Sequence, residues 1–167
     1  IVEAPSRRKK IRFHFPEPPA SSRVQVELRG VWKAYGEKPV YSGIDLAIHR
    51  GERVVLVGPN GAGKTTLLKI VAGVLPNDRG ERRLGLGASI AYYAQHQVEA
   101  LDFRNTLLDE VRGAAPDLPP ERVRGLLGRF LFSGDDVFKP IGVLSGGEKS
   151  RVALAKMLVN PTNLLLL

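Results

Sequence analysis

Between Arg23 and Arg29 apolar and polar residues alternate, with Val24, Val26 and Leu28 set against Gln25, Glu27 and Arg29. A period of two puts one set on each face of an extended chain, which predicts a half-buried strand. A turn at residues 36–38 leads into a second apolar stretch, 40–48, in which Ile44, Leu46 and Ile48 alternate again. After Gly51-Glu52 the run Val54-Val55-Leu56-Val57 is apolar at every position. Such a run suits a strand covered on both faces. A loop then precedes a helix over about 64–72, with Gly73 as its stop signal. A further strand is predicted at 90–94, and a helix over about 106–112. Helical periodicity is clearest after Pro119-Pro120, where Val123, Leu126, Leu127, Phe130 and Leu131 form one stripe. A last helix over 145–158 and a buried strand at 164–167 complete the pattern.

The loop between the apolar run and the first helix reads Gly58-Pro59-Asn60-Gly61-Ala62-Gly63-Lys64-Thr65-Thr66. Residues 58–65 match G-x-x-x-x-G-K-[ST] at each fixed position. Backbone N–H groups can wrap a polyphosphate only where few Cβ atoms intervene, and the helix that follows aims its positive end at the anion. Lys64 is expected to reach the β- and γ-phosphates, and Thr65 to ligate Mg²⁺. The loop points to a nucleotide but does not say which class of enzyme uses it.

A second glycine motif, Leu144-Ser145-Gly146-Gly147-Glu148-Lys149-Ser150-Arg151, begins the last helix, with Ser145 lying 81 residues after Lys64. Ser145 and Glu148 have capping-box spacing, so a plain helix start accounts for them when they are taken alone.

Composition narrows the classes. The chain has 167 residues and no cysteine, which excludes a disulfide scaffold and any Cys-ligated metal. His14, His49 and His96 have no spacing that suggests a metal site. No apolar run approaches the ~20 residues of a membrane-spanning helix. The net charge of +8 is uneven: residues 1–30 carry half of it, and Arg7, Arg8, Lys9, Lys10 and Arg12 cluster there among prolines. Such a stretch reads as an extended basic connector suited to a polyanion.

With both glycine motifs in this order, residues 23–167 resemble the ATP-binding cassette (ABC) superfamily. Residues 58–65 look like its Walker A loop and 144–148 like its signature motif. Gln95 looks like the Q-loop glutamine (Gln97 is the competing position), and Tyr35 like the aromatic residue that stacks on adenine. Glu148-Lys149-Ser150-Arg151 in place of a glutamine, and Asn160-Pro161-Thr162-Asn163-Leu164 before the last strand, are similar to the ABC-F branch.

The resemblance implies an α/β P-loop NTPase core of ABC type, with an antiparallel β edge and a helical subdomain. It divides the chain into the end of an interdomain linker (1–22), a nucleotide-binding core (23–100), a helical subdomain (101–143), and the signature motif with its helix and the start of the Walker B strand (144–167). It implies ATP and Mg²⁺ as cofactors. Tyr35, Gly58, Pro59, Asn60, Gly61, Ala62, Gly63, Lys64, Thr65, Thr66 and Gln95 would contact nucleotide, with Thr65 and Gln95 at the metal. With the chain read as the second of two cassettes, Ser145, Gly146 and Gly147 would serve a nucleotide on the other cassette, and Glu148 would support their turn. The ABC-F reading implies a cytoplasmic protein whose closure acts on the ribosome and its RNA; the alternative is the ATPase subunit of a membrane transporter. DNA-maintenance relatives fit poorly, lacking room for a coiled coil between the motifs and cysteines for zinc. The chain begins without Met and stops on Leu164-Leu165-Leu166-Leu167. That predicts a piece cut before the Walker B aspartate, catalytic glutamate and switch histidine, and unable to hydrolyse ATP alone.

Overall fold

The computed structural model of the chain describes residues 17–93 and 98–167. They fall into two compact units, one made of 17–93 with 161–167, the other of 98–160.

The first unit is built on a long hairpin. Strand β1 (Val24–Tyr35) pairs antiparallel with β2 (Lys38–His49) on one side and with β3 (Arg79–Leu84) on the other. Period-2 patterning sends Val26 and Leu28 inward, and an irregularity in the ladder between Leu28 and Val31 shifts the register so that Val31 joins them; all three are buried with Ile48. Ile44 and Leu46 pack against the edge of that cluster.

Helix α1 (Lys64–Ala72) closes the same core with Leu67, Ile70 and Val71, an i, i+3, i+4 set. Gly73 ends it in the left-handed region (φ 80°), its N–H bonding to the Ile70 carbonyl. That is the glycine stop expected from the sequence. A short parallel pair, β4 (Ile90–Tyr92) and β5 (Leu164–Leu166), completes the unit in the register Ile90↔Leu164. Leu166 reaches the shared core.

One expectation for this unit needs correction, and one strand has no counterpart in the sequence reading. The run Val54-Val55-Leu56-Val57 forms no strand: its backbone has no ladder partner among the described residues. Val54, Val55 and Val57 are 49%, 80% and 90% exposed, and only Leu56 turns toward the core. Apolar content favours burial, but a central strand exists only where neighbours satisfy its N–H and C=O groups on both sides. Conversely, β3 had no apolar pattern to announce it. Its sequence is RGERRL, and its charges are absorbed locally. Arg83 pairs with Glu81 at 2.6 Å, and Arg82 donates Nε–H and Nη2–H to the Val71 carbonyl at 3.0 and 2.8 Å. An arginine at that point neutralises the negative end of α1.

The second unit is helical. Its α2 (Leu107–Gly113) is capped by Thr106, whose hydroxyl oxygen accepts from the Asp109 N–H. Helix α3 (Pro120–Arg129) starts with proline at its first position, and α4 (Gly146–Leu158) follows two single 3-10 turns at Gly134–Phe138 and Ile141–Val143. Val123, Leu127 and Phe130 of the predicted stripe are buried, and Leu126 is half-buried. Leu131 lies beyond the helix in a left-handed conformation (φ 71°), which lets the Phe132 N–H bond back to the Leu127 carbonyl. The helices share one buried charge. Glu110 (4% exposed) accepts from Lys156 Nζ at 2.5 Å and from Asn105 Nδ2 at 2.8 Å, joining α2 to α4.

Candidate functional site

The loop of residues 58–63 lies in the first unit, between the exposed apolar run and α1. Gly61 (φ 82°) and Gly63 (φ 88°) both adopt the left-handed conformation that glycine tolerates. At Gly63 the requirement is double. A Cβ there would come within 2.7 Å of Val40 Cγ1 and 2.8 Å of the Tyr41 hydroxyl, so β2 presses directly on the loop. Partial burial at that position raises the Tyr41 phenol above its ordinary value.

Gly63 leads into α1 with no side-chain cap, and no acidic residue occupies the first turn. The first amides of a helix have no intrahelical acceptor, so this start offers N–H groups to an external anion. The Lys64 ammonium folds back over the loop and donates to the carbonyls of Gly58 and Pro59, both at 2.8 Å. It is thus held among the backbone groups that would surround a phosphate. Thr65 is exposed and Thr66 half-buried in the same turn.

Tyr35 ends β1, paired with Lys38 across the hairpin turn and 53% exposed, with Lys33 Nζ 5.9 Å from its ring centroid. Lys33 is in turn pinned at 2.7 Å to Asp78, whose carboxyl this bond holds below its usual range. Gln95, with its competitor Gln97 and neighbour His96, lies outside the described residues. So does the basic cluster at 7–12.

The second glycine motif starts α4 in the helical unit. Its capping box is complete: the Ser145 oxygen accepts from the Glu148 N–H, while the Ser145 N–H and O–H donate to the Glu148 carboxylate at 2.9 and 2.6 Å. Those bonds, above all the one from the hydroxyl, hold the carboxyl below the usual glutamate value of 4.5. A depressed folded value makes the sign definite. The box stabilises the helix start above the unfolded-state pKa and is lost as pH falls through the folded one. We therefore expect the first turn of α4 to fray as pH falls through the lowered Glu148 value, with the pH dependence weakened in Glu148→Gln. NMR amide shifts of residues 146–149 against pH would read this directly. Shifts that titrate alike in both proteins would count against it.

Ser145, Gly146 and Gly147 are all exposed. Neither glycine has a positive φ, and a Cβ on either would meet nothing within 4 Å. Glycine in a helix costs ~1 kcal/mol relative to alanine, and nothing within the described residues recovers it. A surface kept free of Cβ atoms at a helix start is what close approach by an external group requires.

Among the described residues no group of three His, Asp or Glu could hold a metal, and no helix is long and apolar enough to cross a membrane. Comparison with known proteins bears on the loop and the capped turn together. Residues 41–167 match the ABC transporter family. The chain is 38% identical over 168 residues to ABC transporter F family member 5 of Arabidopsis thaliana, covering 100% of this chain and 24% of that protein. It is 41% identical over 160 residues to the putative ATP-binding protein YdiF of Bacillus subtilis, covering 95% of this chain and 25% of that protein. Against the ATP-binding protein Uup of Escherichia coli, identity is 35% over 160 residues, with 93% of this chain and 25% of that protein covered. The chain thus spans about a quarter of the length of the curated relatives it matches. A family match that runs from β2 through the anion-ready loop to the last strand shows that this chain belongs to the ABC transporter family, as an ATP-binding domain of it.

Proposed function

We propose that this chain is one cassette of an ABC-F type ATPase, taking MgATP on residues 58–66 and serving a second cassette's nucleotide through residues 145–147. The contrast between two helix starts carries this reading. The start of α1 is uncapped and has a lysine beside it, as a phosphate site requires. The start of α4 caps itself, yet presents two glycines that no neighbour in the described structure calls for. A site that binds and a surface that approaches are the two halves of a head-to-tail pair.

In this reading Tyr35 offers its exposed ring to adenine, Lys64 exchanges its two carbonyls for phosphate oxygens, and Thr65 lends one oxygen to Mg²⁺ with Gln95. The metal would depend on the nucleotide, since no acidic cluster among the described residues holds one. Residues 1–22 are a linker segment between cassettes and 101–143 a helical subdomain, and no motif within residues 1–167 supplies the carboxylates that split ATP. The 167-residue chain should then release no phosphate from ATP; release that Lys64→Ala abolishes would overturn this. The whole protein works in the cytoplasm, and its closure acts on the ribosome. Similarity to F-family proteins and the cluster at Arg7, Arg8, Lys9, Lys10 and Arg12 support that partner, because Lys and Arg contacts to phosphate give RNA affinity without sequence readout.

Gly146→Ala in the whole protein separates the two demands on the capped turn. Alanine should stabilise α4 by about 1 kcal/mol and lower ATP turnover at least about tenfold, because a methyl group intrudes on the approaching nucleotide. Unchanged turnover would sink the approach role. For the ribosome, co-sedimentation with ATP should weaken steeply between 50 and 200 mM salt, by roughly 10²-fold or more if several phosphates are contacted. No association at low salt would defeat that part of the reading.

A further inference from the structure

The segment leading into β1 is rich in proline and serine, and composition alone makes it a tether. The described residues show it fastened. Ser22 donates its N–H to the Leu86 carbonyl at 2.9 Å, and Gln25 Nε2 donates to the Ser22 carbonyl at 2.6 Å and to Ser21 Oγ at 3.2 Å. Arg50 gives its N–H to the Arg23 carbonyl at 2.8 Å and Nη1 to that of Ser21 at 3.3 Å. These ties all come from the antiparallel sheet and its loops.

A different one comes from far along the chain. Asn163, one residue before β5, donates Nδ2–H to the Pro19 carbonyl at 2.7 Å and to Ser21 Oγ at 3.1 Å. Its Oδ1 accepts from the N–H and the hydroxyl of Ser89, one residue before β4, at 2.9 and 3.0 Å. The amide's orientation is fixed by chemistry, because the Ser89 N–H can only donate and the Pro19 carbonyl can only accept. The main chain joins the same knot: the N–H groups of Asn163 and Leu164 both donate to the Ser89 carbonyl. A short side chain with two donors at one end and an acceptor beside them is required here. Aspartate lacks the donors, serine the reach, and glutamine is a methylene too long.

We propose that Asn163 is a positioning residue, a clasp that fixes the approaching segment at residues 19–21 to the paired strands β4 and β5. The segment then moves with the nucleotide-binding unit instead of swinging as a tether. Because Gln95 follows β4 in the chain and β5 pairs with β4, the clasp ties residues 19–21 to the strands that the proposed function associates with the nucleotide. Its functional meaning rests on that reading; the clasp itself does not.

Hydrogen exchange on the whole protein tests it, with two amides as reporters: Ser22 N–H for the approaching segment and Tyr93 N–H, which donates to the Leu166 carbonyl, for the strand pair. Asn163→Asp keeps the acceptor and loses both donors. We expect Ser22 protection to drop about tenfold or more while Tyr93 protection holds within about threefold. Ser89→Ala should leave Ser22 protected. In Asn163→Asp alone, protection at Ser22 should return as pH falls toward about 4, since a protonated carboxyl regains one donor. Ser22 staying protected in Asn163→Asp, or the two amides loosening in proportion, overturns the clasp. If Asn163→Asp fails to fold, Asn163→Ser keeps a small polar side chain without the reach to residues 19–21, leaves the Gln25 and Arg50 ties in place, and should give the same selective loss. Adding MgATP to the wild type separates the two readings. Protection gained at 58–65 and at Ser22 together, with the latter lost in Asn163→Asp, supports both. No gain at 58–65 overturns the nucleotide site, while the nucleotide-free comparison still decides the clasp.

Discussion

Lys64→Ala is expected to lower MgATP affinity about a hundredfold while leaving the fold intact. In the structure Lys64 Nζ makes two bonds, to the carbonyls of Gly58 and Pro59, and both acceptors belong to an exposed loop that water can reach. Losing the ammonium therefore strands no buried group, and the free protein should be destabilised by less than about 1 kcal/mol. With nucleotide present the balance differs, because charge-assisted bonds to phosphate are worth about 1.5–3 kcal/mol each. About 3 kcal/mol in total corresponds to roughly a hundredfold in affinity. Titration calorimetry with a non-hydrolysed ATP analogue and Mg²⁺ gives the affinity, and thermal unfolding without nucleotide gives the fold. An affinity change below fivefold would remove the loop from the nucleotide site. A large fall in melting temperature would mean that the lysine holds the loop rather than the ligand.

The second large effect lies in the helical unit. Lys156→Met should destabilise the protein by about 3 kcal/mol, because it leaves the Glu110 carboxylate buried with Asn105 as its one remaining side-chain partner among those described. The asymmetry in burial sets the direction. The Lys156 side chain is 33% exposed and the Glu110 side chain 4%, so the lysine can turn to water and the glutamate cannot. Removing the carboxylate should accordingly cost less than removing the ammonium, and Glu110→Met with Lys156→Met together should recover part of the loss. Denaturant titration of the four proteins closes the cycle. A coupling below about 0.5 kcal/mol would show that the pair is solvated in solution and does not fix α2 against α4.

Much of this architecture is legible in residue order, for reasons that differ by element. The hairpin is legible because Val24, Val26 and Leu28 alternate over a core that exists within the described residues. Helix α1 and its glycine stop are legible because both ends carry local chemistry, and α4 is legible from Ser145 and Glu148 for the same reason. Strand β3 was not, since its place depends on Glu81 with Arg83 and on Arg82 reaching a helix carbonyl, and none of these has a periodic signature. The run 54–57 misled in the opposite direction: its apolar content reports what the residues favour, while a ladder reports which neighbours are there. At the candidate site, the motif spacing singles out Lys64 and the glycines. It did not foresee that Val40 and Tyr41 press on Gly63, nor that Asn163 binds the approaching segment, because contacts of that kind follow from tertiary pairing.

The parallel pair of β4 and β5 has a consequence for how the chain folds. Hairpin β1–β2 turns within a few residues and can zip at once, whereas Ile90 must wait for Leu164. Closing a flexible loop of that length costs roughly 1.5RT per natural-log unit of length before any contact is gained. The intervening helices, which make their own contacts, can shorten that search by folding first. The expected order is therefore hairpin and helical unit early, parallel strands last. Substitutions at Leu164 or Leu166 should accelerate unfolding and leave the folding rate nearly unchanged, whereas those at Val26 or Leu28 should slow folding.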